Sequence, residues 1–162
     1  MKAISFYIIS LTLIGCSSNV KNKSEATDSL EQPTMVMKNI EQFTARDTIT
    51  ADLDGDSILD QAYFKNYPDK KIIVVKNGKT NKETWIGLDK SFLDIGSNFN
   101  WVDHWGTISD NEVYENVIKD GEIIGGKKVK LTNKSLFVGK DDAGGGIITF
   151  KDGKFIWIHQ AD

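Results

Sequence analysis

Gly146-Ile147-Ile148-Thr149-Phe150, Lys151-Asp152-Gly153-Lys154 and Phe155-Ile156-Trp157-Ile158-His159 follow one another without interruption, and their reading decides the fold class. Two runs rich in β-branched and aromatic residues flank a short polar stretch, and Asp152-Gly153 suits a type I′ turn, which needs positive φ at both central residues. The segment reads as a β-hairpin. Upstream, Lys71-Ile72-Ile73-Val74-Val75 and Glu83-Thr84-Trp85-Ile86 read as a second hairpin, joined by an Asn77-Gly78 turn and a polar loop. Asn100 to Ile108, Glu112 to Ile118, Lys127 to Leu131 and Ser135 to Val138 read as further strands, with turn chemistry at Asp120-Gly121 and Thr132-Asn133. No stretch of a dozen residues holds a clear helical period, although Leu88, Phe92 and Ile95 are spaced for one short helix over Leu88 to Ile95. The expected fold is therefore mainly β, a small antiparallel domain of successive hairpins with room for that helix. No self-similarity recurs every 20 to 50 residues, which argues against a propeller or solenoid made from this chain alone.

Composition agrees with one ordinary core. The chain has 162 residues, 40% hydrophobic and 27% charged, with 2 Pro. That is enough for one domain and too apolar for disorder throughout. A net charge of -3 and a pI near 5.4 give no basic surface for nucleic acid. One Cys excludes an internal disulfide, and two His leave little for a histidine metal centre or a histidine-dependent catalytic set.

The N-terminal segment reads as an address. Lys2 precedes an uncharged apolar run from Ala3 to Gly15 that is shorter than the roughly 20 residues needed to span a bilayer, and of signal-peptide length. The run ends in Leu13-Ile14-Gly15-Cys16, which resembles the lipobox of bacterial lipoproteins. The resemblance implies a signal peptide over residues 1–15, cleavage after Gly15, and lipid on Cys16. Two or more acyl chains anchor a protein stably without a transmembrane helix. Residues 16–40 then read as a lipidated, polar tether, with Met35-Val36-Met37 as an alternative start of the first strand, and residues 41–162 as a single β-rich domain. Ser17 and Ser18 supply no retention Asp, so by the same resemblance the outer membrane is favoured in a diderm host. The implied location is the bacterial cell envelope.

The chemistry-bearing stretch is Asp52-Leu53-Asp54-Gly55-Asp56-Ser57-Ile58-Leu59-Asp60. Carboxylates at relative positions 1, 3, 5 and 9 of a turning loop can converge, and Ca²⁺ takes 6 to 8 hard oxygens at about 2.3 to 2.6 Å. Asp52, Asp54, Asp56 and Asp60, the carbonyl of Ile58 and water would form such a shell. An EF-hand is excluded, because its Gly and bidentate Glu positions hold Ser57 and Tyr63. The stretch resembles the DxDGDxxxD loops of FG-GAP and VCBS-type repeats, in which the loop closes a β-hairpin around Ca²⁺. On that resemblance Thr48 to Ala51 leads in and Gln61 to Phe64 leads out. Ser57 stands where the family usually has Gly, so the backbone angle there is not carried over. A solvated acidic turn is the alternative, which the spacing disfavours.

Trp101, Asp103 and Trp105 alternate, so a strand would place both indoles on one face around a carboxylate, a candidate ligand contact; core packing is the commoner fate of Trp. His104 and His159 read as surface or satisfied histidines. Gly121 to Lys128 nearly matches a phosphate loop but lacks its Ser or Thr and is flanked by strands. Gly144-Gly145-Gly146 reads as a flexible loop, with close backbone approach as the alternative, and Lys127, Lys128 and Lys130 as guards of an edge strand. Two functions follow. One is a non-enzymatic, Ca²⁺-stabilised lipoprotein domain, membrane-bound through Cys16 and meeting a protein or glycan partner. The other is an envelope hydrolase using Asp103 with Glu112 or Glu115 on polysaccharide.

Overall fold

The computed structural model describes residues 38–88 and 98–160. The expected signal peptide, Cys16, most of the expected tether and all but the first residue of the helix expected over Leu88 to Ile95 lie outside the described residues. Within them the chain is all β. Eleven strands follow in order: β1 Ile40–Phe43, β2 Ile49–Ala51, β3 Asp60–Tyr67, β4 Lys70–Lys76, β5 Glu83–Ile86, β6 His104–Ile108, β7 Glu112–Lys119, β8 Glu122–Lys130, β9 Ser135–Gly139, β10 Gly145–Lys151 and β11 Lys154–Gln160. Among the described residues no helix is long and apolar enough to cross a membrane.

The strands form a five-stranded sheet ordered β1-β6-β9-β10-β11, a four-stranded sheet ordered β2-β3-β4-β5 and the separate hairpin β7-β8. Every pairing is antiparallel. Side chains alternate between the faces of a strand, so each strand of a sandwiched sheet feeds two environments. Ile148 of β10 joins Trp105, Leu136 and Val138 in facing Ile49, Ala62, Ile73 and Val75 of the other sheet. Its neighbour Ile147 points the other way, into a second cluster with Ile108, Val113, Leu131 and Ile158 beneath the β7-β8 hairpin. Three layers thus share two cores, and the five-stranded sheet is the middle one.

Both sequence-predicted hairpins form. Lys151 pairs with Lys154 across Asp152 and Gly153, whose φ values of 50° and 80° are those of the type I′ turn. Lys76 pairs with Glu83, and Asn77 closes the intervening loop: its Oδ1 accepts from the Thr80 amide at 2.8 Å and the Thr80 hydroxyl at 2.7 Å. The near-match to a phosphate loop is extended chain in β8, which starts five residues earlier than expected and carries a register shift opposite Val117 and Ile118.

Two expectations are corrected. The strand expected over Asn100 to Ile108 begins only at His104. Asn98 to Asp103 form a turn instead, tied by Val102 N–H to the Phe99 carbonyl at 3.1 Å and by the Trp101 indole N–H to the Asn98 carbonyl at 2.9 Å. Gly145, expected in a flexible loop, is buried in β10 beside Gly146, the residue on which the expected hairpin begins. A Cβ on Gly146 would stand 2.1 Å from Cζ2 of Trp157, so the missing side chain makes room for an indole on the neighbouring strand.

Candidate metal centre

The acidic loop closes the β2-β3 hairpin. Ala51 pairs with Asp60, so residues 52–59 must reverse the chain between them. The aspartates organise that reversal by capping its amides. Asp52 accepts from Gly55 N–H at 2.8 Å and Ser57 N–H at 2.9 Å, Asp54 from Asp56 N–H at 3.1 Å, and Asp56 from Ile58 N–H at 2.9 Å. Gly55 and Ser57 both take left-handed backbone, at φ 82° and 68°. Ser57 thus holds an angle that Gly, usual at this position in the repeat loops the stretch resembles, adopts freely.

Left-handed backbone costs an L-residue about 1–2 kcal/mol, while Gly loses more entropy on folding. Ser57→Gly is therefore expected to stabilise the domain by about 0.5 kcal/mol. Ser57→Val, β-branched at positive φ, is expected to destabilise it by about 1–2 kcal/mol. Denaturant midpoints of the two variants check the sign of each effect.

Long-range partners fix the loop from outside. Asp60 is 1% exposed and accepts from Leu53 N–H at 3.0 Å and Gly78 N–H at 2.8 Å. Asn77 donates its amide to Asp54 at 2.7 Å, and Asn133 donates to the Leu53 carbonyl. A Cβ on Gly78 would fall 2.1 Å from the Leu59 carbonyl oxygen, so the 77–82 loop lies directly against the acidic one. In sequence, Asn77-Gly78 and Thr132-Asn133 read only as turns. Nothing local announces that two of those amides brace a loop elsewhere.

The result is convergence of carboxylate oxygens from Asp52, Asp54 and Asp60 within 4.8 Å of one another. Two oxygens on one Ca²⁺ at 2.3 to 2.6 Å are at most about 5 Å apart, so this trio fits a single ion. Asp56 stands outside the trio, turned to the Ile58 amide and, at 3.8 Å, to the Lys79 ammonium. Ile58 contributes its amide to the loop and leaves its side chain 40% exposed. Burial pushes the Asp54 carboxyl above its ordinary pKa; the Asp56 amide lowers it, and the charges of Asp60, Asp56 and Asp52 raise it again. A cation over the trio would offset that desolvation and repulsion.

The second candidate cluster dissolves on folding. Trp105 is fully buried between the sheets, its ring 4.4 Å from Phe64 and its indole N–H on the Thr44 carbonyl at 2.7 Å. It has no face left for a ligand. Trp101 is half-buried against Phe99 and Trp157. Asp103 is exposed and accepts from the Asp141 amide at 3.2 Å. The expected alternation failed because Trp101 sits in the turn before β6, not on the strand. Glu112 and Glu115 pair with Lys128 at 2.8 Å and Lys127 at 2.7 Å, so each carboxylate of the hydrolase reading has a local partner.

A cleft of about 230 Å³ opens beside the acidic loop, with Asp54, Asp60, Asn77, Lys82, Phe150 and Phe155 among its lining. No sequence signal marked it, because its walls come from three separate loops and from strands of two sheets.

Compared with known protein families, with curated proteins and with solved structures, the chain matches none. The likeness of residues 52–60 to calcium-binding repeat loops therefore rests on the loop itself.

Proposed function

We propose that this chain is a lipid-anchored protein of the bacterial envelope whose β domain is stabilised by one Ca²⁺ and serves as a non-enzymatic binding module. The observation that carries the metal half is the convergence of Asp52, Asp54 and Asp60 on one point, with Asp60 buried and braced by two backbone amides. Hard carboxylate oxygens at that spacing suit a hard divalent cation, and amide bonds that hold the ligands in place lower the ordering cost of binding. Asp56 and the Ile58 carbonyl complete the expected shell if the loop tightens around the ion. The non-enzymatic half is supported by the engagement of Asp103, Glu112 and Glu115 with partners of their own. A calorimetric titration of the full chain with Ca²⁺ tests the metal. One equivalent should bind, and the double variant Asp52→Asn, Asp54→Asn should abolish the heat.

The anchor rests on the Leu13-Ile14-Gly15-Cys16 sequence. Cys16→Ser removes the thiol that would carry the diacylglyceryl group, so the protein is expected to move from the membrane fraction to the soluble one. Continued sedimentation with membranes after that change would remove the lipid from the proposal. In a diderm host the outer membrane is the destination this reading favours.

A further inference from the structure

The β7-β8 hairpin carries an apolar end that neither core uses. Ile118, Ile123 and Ile124, gathered within seven positions, are 48%, 42% and 43% exposed. Ile118 lies directly opposite Ile123, and the register shift beside Ile118 leaves Ile124 as the extra residue of a bulge. Neighbouring side chains point to opposite faces, so the next pair, Lys119 and Glu122, leaves the face of Ile118 and Ile123, and only the Asp120-Gly121 turn lies beyond. Further along that face Tyr114 stands opposite Lys128, whose ammonium lies 5.5 Å from the ring centre. Isoleucines at the end, with a tyrosine and a lysine behind them, make a surface suited to the headgroup level of a bilayer. The hairpin's four lysines match its four acidic residues, so such a contact draws on apolar burial and not on net charge.

The place where the chain enters the domain favours a bilayer over a protein as the occupant. Lys38, at the start of the described residues, donates its N–H to Asp110 at 3.1 Å, and Asn39 donates its side-chain amide to the same carboxylate. Asp110 stands two residues before β7, so the segment that leads back to Cys16 leaves the domain at the base of this hairpin. From Glu112, β7 carries the chain about 20 Å to Ile118, at about 3.4 Å per residue. A polar tether of the length that separates Cys16 from Lys38, about 20 residues, spans roughly 25 Å, enough to bring a lipid on Cys16 to the level of the isoleucines. Three side chains are far fewer than the about 20–30 residues a side of a stable protein interface. A bilayer needs no matching shape, and a tether supplies the effective concentration that lets a small contact hold. We propose that Ile118, Ile123 and Ile124 rest in the interfacial layer of the membrane that holds Cys16, which gives the domain a second contact and a fixed orientation. The contact rests on the lipid-anchor reading and adds to it the face that the domain turns to the bilayer.

The test uses the protein purified from membranes and reconstituted in vesicles of phosphatidylethanolamine and phosphatidylglycerol, its intact mass first establishing the acyl groups. Cys16 is the one cysteine of the chain, so once it is acylated Ile123→Cys carries the only free thiol for a water-sensitive fluorophore. Thr50→Cys, at an exposed position of β2 in the opposite outer layer, carries the fluorophore in the reference variant. The label on residue 123 should be quenched by lipid bearing a nitroxide near its headgroup and should lose its quenching by iodide in the water, and the label on residue 50 should do the reverse. Adding Ile118→Ser and Ile124→Ser should return the label on residue 123 to iodide while the lipid keeps the protein on the vesicles; no change on that addition would overturn the role of the isoleucines. An acylated protein whose label on residue 123 behaves like the one on residue 50 would overturn the contact and leave the anchor standing. Protection from iodide without quenching by the lipid would also overturn it and assign the isoleucines to a second copy of the chain. An intact mass without acyl groups would overturn the anchor reading itself, so the two failures are told apart.

Discussion

Ca²⁺ at about 100 times its dissociation constant is expected to stabilise the full chain by about 2.7 kcal/mol, which for a domain of this size raises the unfolding midpoint by roughly 8 to 14 °C. The effect arises because the ion binds the folded loop and not the unfolded chain. In the folded state three carboxylates are held together within 4.8 Å, and Asp54 is already pushed toward its protonated form by burial and by its neighbours. In the unfolded chain they separate and the repulsion is screened by water. The variants divide the contributions. Asp52→Asn with Asp54→Asn keeps the side-chain shapes and should erase the Ca²⁺ response while moving the midpoint in chelator by only a few degrees. Asp60→Ala should lower stability with or without Ca²⁺, because Leu53 N–H and Gly78 N–H lose their acceptor, at about 1–3 kcal/mol for each buried donor left unpaired. A wild-type midpoint indifferent to Ca²⁺ and chelator would make residues 52–60 a solvated turn whose aspartates only cap amides.

Trp105→Ala is expected to cost about 4 kcal/mol, a large fraction of the 5–15 kcal/mol that holds a typical domain together. The indole is fully buried, packs its ring against Phe64, and uses its N–H on the Thr44 carbonyl. Its removal leaves a cavity between the two sheets and an orphan carbonyl in the segment that leads from β1 to β2. Trp101→Ala, half-buried in the turn before β6, should cost about 1–2 kcal/mol. Urea unfolding followed by far-UV circular dichroism reads both, since a core truncation moves the midpoint at constant slope. A Trp105→Ala loss under about 1 kcal/mol would contradict its place in the core.

Much of the architecture was legible because it is written in neighbouring residues. Asp152-Gly153 fixes a turn through φ, and the flanking runs alternate with the pleat, so the β10-β11 hairpin could be read from the segment alone. The Asp spacing of residues 52–60 likewise announced a reversal that folds its own carboxylates inward. Trp101 was misread in placement, since its alternation with Trp105 presumes a strand through both and the strand starts at His104. Gly145 was misread as loop, and Gly146 shows the close approach that was the alternative for this run, because glycines that admit an indole on a neighbouring strand look, in sequence, like glycines that only bend. β1 was not singled out at all. Four residues of mixed polarity at the edge of a sheet carry too little pattern to detect.

The sequence by itself determined the β class, the principal hairpins and the loop that gathers aspartates, because each depends on φ preferences and period-two alternation within a few residues. Tertiary structure alone decided which aspartates meet. Asp60 joins Asp52 and Asp54 while Asp56 turns away, under bonds from Gly78 and Asn77, which lie 18 residues from Asp60 and 23 from Asp54, and from Asn133, 80 residues from Leu53. Such partners are chosen by the packing of one sheet on another, a condition imposed by burial and by the need of every buried amide for an acceptor, and no local stretch of chain contains it.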